Sequence, residues 1–284
     1  MLCNFCGKEN LTFERINTYK FCKMCETYTR NTGDQQTFMT NEKLESTIVP
    51  DKLSEKLLRS VLEFRNENDS GLVDFGCGGG KFLLTATPHI PKLAGVEITS
   101  SSIEAAKSQG LEVFPEIPLK GFTLATFWHS LEHLPFQTLK QTLDFLKLSE
   151  INTVFISVPN SRSLTLRICG DYDAFYDEQN HTFIFSKGTL CELFGEIGFI
   201  PVKETRNWHY TFFGVLQSSI NFHTRTRNQI YMILKRGDSI KNLDLVRHVI
   251  MIPAIVPFAL ILFLLSLLKL EKDPVINMVF SRSR

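Results

Sequence analysis

At 284 residues the chain has room for one large domain and an appendage. With 31 basic against 30 acidic residues, no global field selects a nucleic acid, and 24 Phe suit a sizeable core. The first residues lack a basic-then-apolar leader pattern, so no secretory signal is expected, and the seven cysteines fit a reducing compartment better than a disulfide framework.

Residues 1–30 carry Cys3-x2-Cys6 and Cys22-x2-Cys25, with fifteen residues between the pairs. Each pair forms a knuckle that points two thiolates at one place. Two knuckles suit a closed tetrahedral four-sulfur site for structural Zn2+. Redox dithiols or buried thiols are the alternatives. So short a segment cannot build its own core, so the metal is expected to supply its folding energy. Residues 31–47 are polar and turn-rich and read as a linker. From Asp51 a helix is expected, with Leu53, Leu57, Leu58, Val61, Leu62 and Phe64 largely on one face.

The organising stretch is Val73-Asp74-Phe75-Gly76-Cys77-Gly78-Gly79-Gly80-Lys81-Phe82. An apolar strand, Leu72 to Phe75, runs into four glycines and then into a helix. Such glycines allow a sharp turn and a close backbone approach to a ligand, while the helix start presents unpaired N–H groups. The next strand, Leu93 to Val96, ends in Glu97, which lies 21 residues after Gly76. An acid there can accept the hydroxyls of a ribose. The dinucleotide spacing would need glycine at position 81, which is Lys81. A helix from the Ser100–Ser102 caps to Gly110 follows, then strands at Leu111–Phe114, Phe122–Phe127 and Thr153–Val158. A helix capped by Ser186 covers Lys187–Ile197, and a sixth strand covers Phe199–Thr205. Strands alternating with helices predict an α/β fold, a doubly wound and mostly parallel Rossmann-like sheet.

Val249 to Leu268 is a stretch of twenty residues without a charge, long enough as a helix to match a bilayer core of about 30 Å. Upstream, residues 221–248 hold six Lys/Arg against two Asp, which suits an anionic lipid surface. Pro274–Ser281 reads as a strand. If that strand closes the sheet, the apolar stretch must leave and return on one side. It is then a monotopic hairpin or dip with kinks at Pro253 and Pro257, rather than a single spanning anchor.

The spacing Gly76-x-Gly78-x-Gly80 after an acidic strand resembles motif I of class I S-adenosylmethionine (SAM) methyltransferases. The run Thr126-Phe-Trp-His-Ser-Leu-Glu-His-Leu134 resembles the segment after the fourth strand in a broad bacterial group of these enzymes. So do Val158-Pro-Asn160, His181-Thr-Phe-Ile-Phe-Ser186 and Leu193–Phe199. The resemblance covers roughly residues 50–205. It implies a seven-stranded sheet with an antiparallel last strand, and SAM as cofactor. Carried over, the turn at Gly76, Cys77, Gly78 and Gly80 wraps the methionine and ribose, Asp74 holds the amino group, Glu97 takes the ribose hydroxyls and Ile98 packs on adenine. Two departures stand out: Thr123 where the group often has Asp, and only Glu116 as an acid for the adenine amino group.

The expected organisation is a zinc-ribbon-like module at 1–30, a linker at 31–47 and a SAM-binding domain at 48–213. A basic and hydrophobic membrane-associating insertion at 214–272 and a last strand with tail at 273–284 complete it. His129 and His181 are candidate bases, needed only where the acceptor is a hydroxyl, amine or acidic carbon. Glu132, His133 and Asn160 are candidates to line the acceptor site, with Glu132 and His133 alternatively bracing the next helix. Cys77, Cys169 and Cys191 read as packing residues. The expected activity is methyl transfer to a small or amphiphilic acceptor, such as a lipid-linked saccharide, sugar or quinone-like precursor, by a cytoplasmic domain at a membrane. A ribosomal-RNA methyltransferase with the ribbon as clamp, or a silent scaffold, are the alternatives. The charge balance argues against nucleic acid.

Overall fold

The computed structural model describes residues 3, 5–7, 11–13, 19–30, 51–116, 120–177, 179–228, 242–269 and 272–283. The expected linker at 31–47 lies outside them. In chain order the first strands are β1 (Leu11–Phe13), β2 (Tyr19–Cys22) and β3 (Tyr28–Arg30), followed by α1 (Lys52–Phe64). Next come β4 (Leu72–Phe75), α2 (Lys81–Ala86), β5 (Leu93–Val96), α3 (Ser100–Lys107), β6 (Val113–Phe114) and β7 (Leu124–Trp128). Then follow α4 (Phe136–Leu148), β8 (Thr153–Pro159), α5 (Leu164–Cys169), β9 (Phe183–Ile184), α6 (Lys187–Glu196) and β10 (Phe199–Thr205). The last elements are α7 (Trp208–Thr224), α8 (Asn242–Leu267) and β11 (Val275–Arg282).

The described residues fall into two compact units. One holds those among Gln36–Val158, Cys191–Glu204 and Asn277–Arg284, and the other those among Met1–Gln35, Pro159–Leu190 and Thr205–Ile276.

The first unit is built on a seven-stranded sheet of order β10-β11-β8-β7-β4-β5-β6. Its central pairs, β8–β7, β7–β4, β4–β5 and β5–β6, are all parallel. β11 runs against β8: the Arg282 amide donates to Asn152 at one end, and Asn277 meets Ser157 further along. The doubly wound, mostly parallel sheet with an antiparallel last strand is therefore present.

Local chemistry explains its elements. Asp51 caps α1 by accepting from the Ser54 amide at 2.7 Å, so the helix starts one residue later than the periodicity predicts. Leu57, Leu58 and Val61 of α1 are buried with Leu72, Phe82, Leu83 and Phe155. On the other sheet face Phe75 stacks on Phe127 at 4.7 Å and reaches Phe145 of α4. Each such fully buried side chain contributes about 1.5–3 kcal/mol. The third strand is shorter than expected because the Leu111 amide is taken by the Ala106 carbonyl at the end of α3. The fourth starts late because the amides of Thr123 and Leu124 both donate to the Gly71 carbonyl.

In the second unit β1, β2 and β3 form an antiparallel sheet, and its fourth strand, β9, arrives from far along the chain. Tyr28 pairs with Ile184 and Thr29 with Phe183. Phe5 packs edge-on against Phe183 and Phe185, at 5.0 and 5.9 Å. This unit also contains α5, α7 and α8. α8 lays Ile255, Ala259, Leu262 and Ser266, spaced by four, three and four residues, against its neighbours. Leu262 is buried with Cys169 and Val215, and Phe258 stacks on Phe222 at 5.4 Å. Val249, Ile250, Ile252, Val256, Ile261 and Leu264 of the same helix are each more than half exposed.

Candidate functional site

The carboxyl ends of β4, β5 and β7 meet around the glycine turn. Gly76, Gly78 and Gly80 all have positive φ, at 71°, 53° and 86°, where a side chain is strained. The three differ in what surrounds them. A Cβ at Gly76 would sit 2.5 Å from the Ser130 Cβ, and one at Gly80 would collide with Leu111. At Gly78 it would meet nothing within 4 Å. Gly76 and Gly80 thus permit close packing of the protein on itself, and Gly78 faces open space.

Glu97 stands beside that opening. Its Oε2 accepts the Gly78 amide at 2.9 Å, and its Oε1 accepts the amides of Ile98 and Thr99, both at 2.8 Å. No hydroxyl caps α3; the carboxylate gathers the amides leading into it. Three N–H donors hold this acid in one orientation at the mouth of the turn. Ile98, next in line, is 53% exposed.

Asp74 is buried on β4, and the Thr126 hydroxyl, its neighbour across the β4–β7 register, donates to it at 2.7 Å. Burial pushes the Asp74 carboxyl up to about 7; the Glu97 charge adds to the rise and the Thr126 hydroxyl opposes it. Burial, with the charges of Asp74 and Glu97, also raises the Cys77 thiol, which suits a packing residue better than a nucleophile.

His129 follows β7 with φ +54°, a left-handed conformation uncommon outside glycine. Its amide donates to the Ser157 carbonyl at 2.8 Å, which fixes the bend. Its Nδ1 lies 3.4 Å from Oε1 of the fully buried Glu132, and its Nε2 lies 3.5 Å from the Ser157 hydroxyl. That hydroxyl donates to Asn277 Oδ1 at 2.9 Å. Glu132 thus faces His129 from the interior. His133, in the same short 3-10 turn, donates its amide to the Ser130 carbonyl.

Asn160 and His181 belong to the other unit. Asn160 is buried; its Nδ2 donates to the Asp273 carbonyl at 2.8 Å and its Oδ1 accepts the Arg162 amide at 2.9 Å. His181 is buried, and its carbonyl accepts the Tyr19 hydroxyl at 2.8 Å.

The four cysteines, Cys3, Cys6, Cys22 and Cys25, place all their sulfurs within 4.8 Å of one another. Cys3 and Cys25 are 3.6 Å apart and Cys6 and Cys22 are 3.5 Å apart, with no disulfide among them. A tetrahedral zinc thiolate site has sulfur–sulfur edges of about 3.8 Å, so the donor set fits such an ion in type, number and size.

Residues 48–204, more than half of the chain, match a family model described as a methyltransferase domain. The chain belongs to the methyltransferase family. No curated protein matches its sequence. Among solved structures the methyltransferase is similar to a SAM-dependent methyltransferase from Archaeoglobus fulgidus, at 19% identity over 81% of this chain and 93% of that one, with a TM-score of 0.46. It is also similar to geranyl diphosphate C-methyltransferase from Streptomyces coelicolor A3(2), at 10% identity over 81% and 80%, TM-score 0.48. Magnesium protoporphyrin IX methyltransferase from Synechocystis PCC 6803 is similar at 12% identity over 54% and 75%, TM-score 0.44.

Sequence reasoning about the methyltransferase passed over Thr126, Ser130, Ser157 and Asn277. Thr126 could have been found, since β4 and β7 are adjacent and an acid and a hydroxyl fall in register. Asn277 could not, because only the return of β11 beside β8 brings it to Ser157.

Proposed function

We propose that this methyltransferase acts on an amphiphilic acceptor at a membrane surface, with a lipid-linked saccharide or a quinone-like precursor as the favoured classes. The supporting observation is α8. It carries no charge from Val249 onward, yet it packs one stripe on its own unit and leaves Val249, Ile250, Ile252, Val256, Ile261 and Leu264 largely to solvent. Exposed apolar surface on this scale is uncommon on a monomeric protein in water. The packed stripe argues for a helix lying in the interface rather than one crossing it alone. Its two flanking strands, β10 and β11, are neighbours in one sheet, so the excursion returns to the side it left.

In this reading Gly76, Cys77, Gly78 and Gly80 cradle SAM, Glu97 takes its ribose hydroxyls, Ile98 packs on its adenine and ionised Asp74 receives its amino group. The opening at Gly78 and the aimed carboxylate of Glu97 are the features that fit it. SAM supplies an electrophilic methyl whose leaving thioether is neutral, so alignment matters more than acid–base help. His129, held by Glu132, and His181 serve as bases for an acceptor that must lose a proton; His133 and Asn160 line its site. Cys3, Cys6, Cys22 and Cys25 hold a structural Zn2+.

The test is to supply SAM labelled in its methyl group to a membrane extract and fractionate the products. Label in the lipid fraction is expected. Label confined to RNA would overturn the proposal.

A further inference from the structure

Resting on the proposed role of His181, we infer that the four-cysteine module is a positioning device for that residue, and that Tyr19 transmits its grip. The module holds described residues at both ends and in the middle of the segment from Tyr176 to Thr189. At its start the Tyr19 ring packs 5.6 Å from Tyr176. The Tyr19 hydroxyl, on a fully buried side chain of β2, donates to the His181 carbonyl at 2.8 Å and lies 3.2 Å from the Asp177 carbonyl. Arg30 adds two bonds, from its guanidinium to the Gln179 carbonyl at 2.6 Å and from its amide to the Thr182 carbonyl at 3.0 Å. Two residues after His181 the chain becomes β9 and joins the module as its edge strand.

The last hold comes from the cysteine knuckle itself. The Cys25 carbonyl accepts both the Ser186 hydroxyl at 2.6 Å and the Thr189 hydroxyl at 2.8 Å. Cys25 thus anchors the start of α6 through its backbone while its sulfur faces the other three cysteines. Order at the cysteine cluster is passed to the segment at both ends, and His181 lies between them. A module kept only to recruit a partner would have no need of this network. Buried hydrogen bonds of this kind fix geometry, and a displacement of about 1 Å at a reacting group can slow a reaction roughly a hundredfold.

Tyr19→Phe keeps the ring and removes the hydroxyl. In the full-length chain it is expected to retain zinc and to fold, with a melting temperature lowered by no more than several degrees. The imidazole resonances of His181, assigned by their loss in His181→Ala, should shift. Transfer of labelled methyl from SAM into a membrane lipid extract should fall roughly tenfold, with no further loss when Tyr19→Phe is added to His181→Ala. Should Tyr19→Phe fail to fold, the near-isosteric Thr189→Val, which frees one bond to Cys25, carries the same expectation. Unchanged His181 resonances would overturn the inference, as would undiminished transfer in a chain where His181→Ala is slow. Undiminished transfer in His181→Ala would instead remove the role of His181, leaving the resonances to decide whether the module positions it.

Discussion

The two units of this chain hold themselves together by different means. The sheet unit buries its own core: α1 and α2 cover one face, Phe75, Phe127 and Phe145 pack on the other, and the glycine turn is shaped by surrounding protein. The other unit has its cysteines gathered at one place and a long apolar helix with one stripe packed. In the proposed reading it leans on two things that are not protein, a metal ion and a lipid surface. A ligand site built on a sheet persists when its ligand leaves, whereas a site made of four thiolates in a short module folds with its ion.

Metal removal is the sharpest way to break this contrast and has the largest expected effect. Stripping the ion with a chelator, or Cys22→Ser, should abolish amide protection in β1–β3 and β9 while α1 and β4 keep theirs, read by hydrogen exchange. Equal loss in both units would end the distinction. Next in size is Glu97→Ala, which leaves three amides without their carboxylate. SAM affinity should drop by about a hundredfold or more by calorimetry, with the melting temperature nearly unchanged; wild-type affinity would remove Glu97 from the cofactor site.

The exposed face of α8 comes third. Ile250→Glu with Ile261→Glu places two charges on the proposed lipid-facing surface, and flotation with anionic vesicles should be lost while SAM binding is kept. Full flotation would detach the exposed face of α8 from the lipid surface.

The smallest effect concerns Asp74. Its carboxyl ordinarily titrates near 3.8 and is here raised to about 7. A carboxyl that holds its proton more tightly when folded adds stability that is complete below about pH 4 and is lost as the pH climbs through about 7. To receive an ammonium it must first give up that proton. SAM affinity should therefore rise about tenfold from pH 6 to pH 8, and Asp74→Asn should flatten the dependence. A wild-type affinity independent of pH would detach Asp74 from the amino group.

Much of the sheet unit was legible in advance because its signals are local. An apolar run ending in Gly76 and Gly78, an acid at 97, and strands alternating with helices each report on neighbours along the chain. Position 97 lies beside the turn because β4 and β5 pair in parallel, a short-range consequence of one crossover. The run at 274–281 was also readable as a strand, and the resemblance implied an antiparallel last strand to close the sheet.

Less could be read where distant segments meet. Nothing near Tyr19 announces that its hydroxyl will rest on the carbonyl of His181, and Phe183–Ile184 carries no mark of becoming the fourth strand of the cysteine module. Nor does the composition of α8 beyond Val249 reveal which stripe is packed, because every face of that stretch is apolar. Sequence alone therefore determined the chemistry on offer here: the glycines, the acid, the thiolates and an uncharged apolar run from Val249 to Leu268. Tertiary structure decided which of these groups share a neighbourhood, because contacts between residues far apart in the chain depend on how whole elements pack, and no local pattern encodes that.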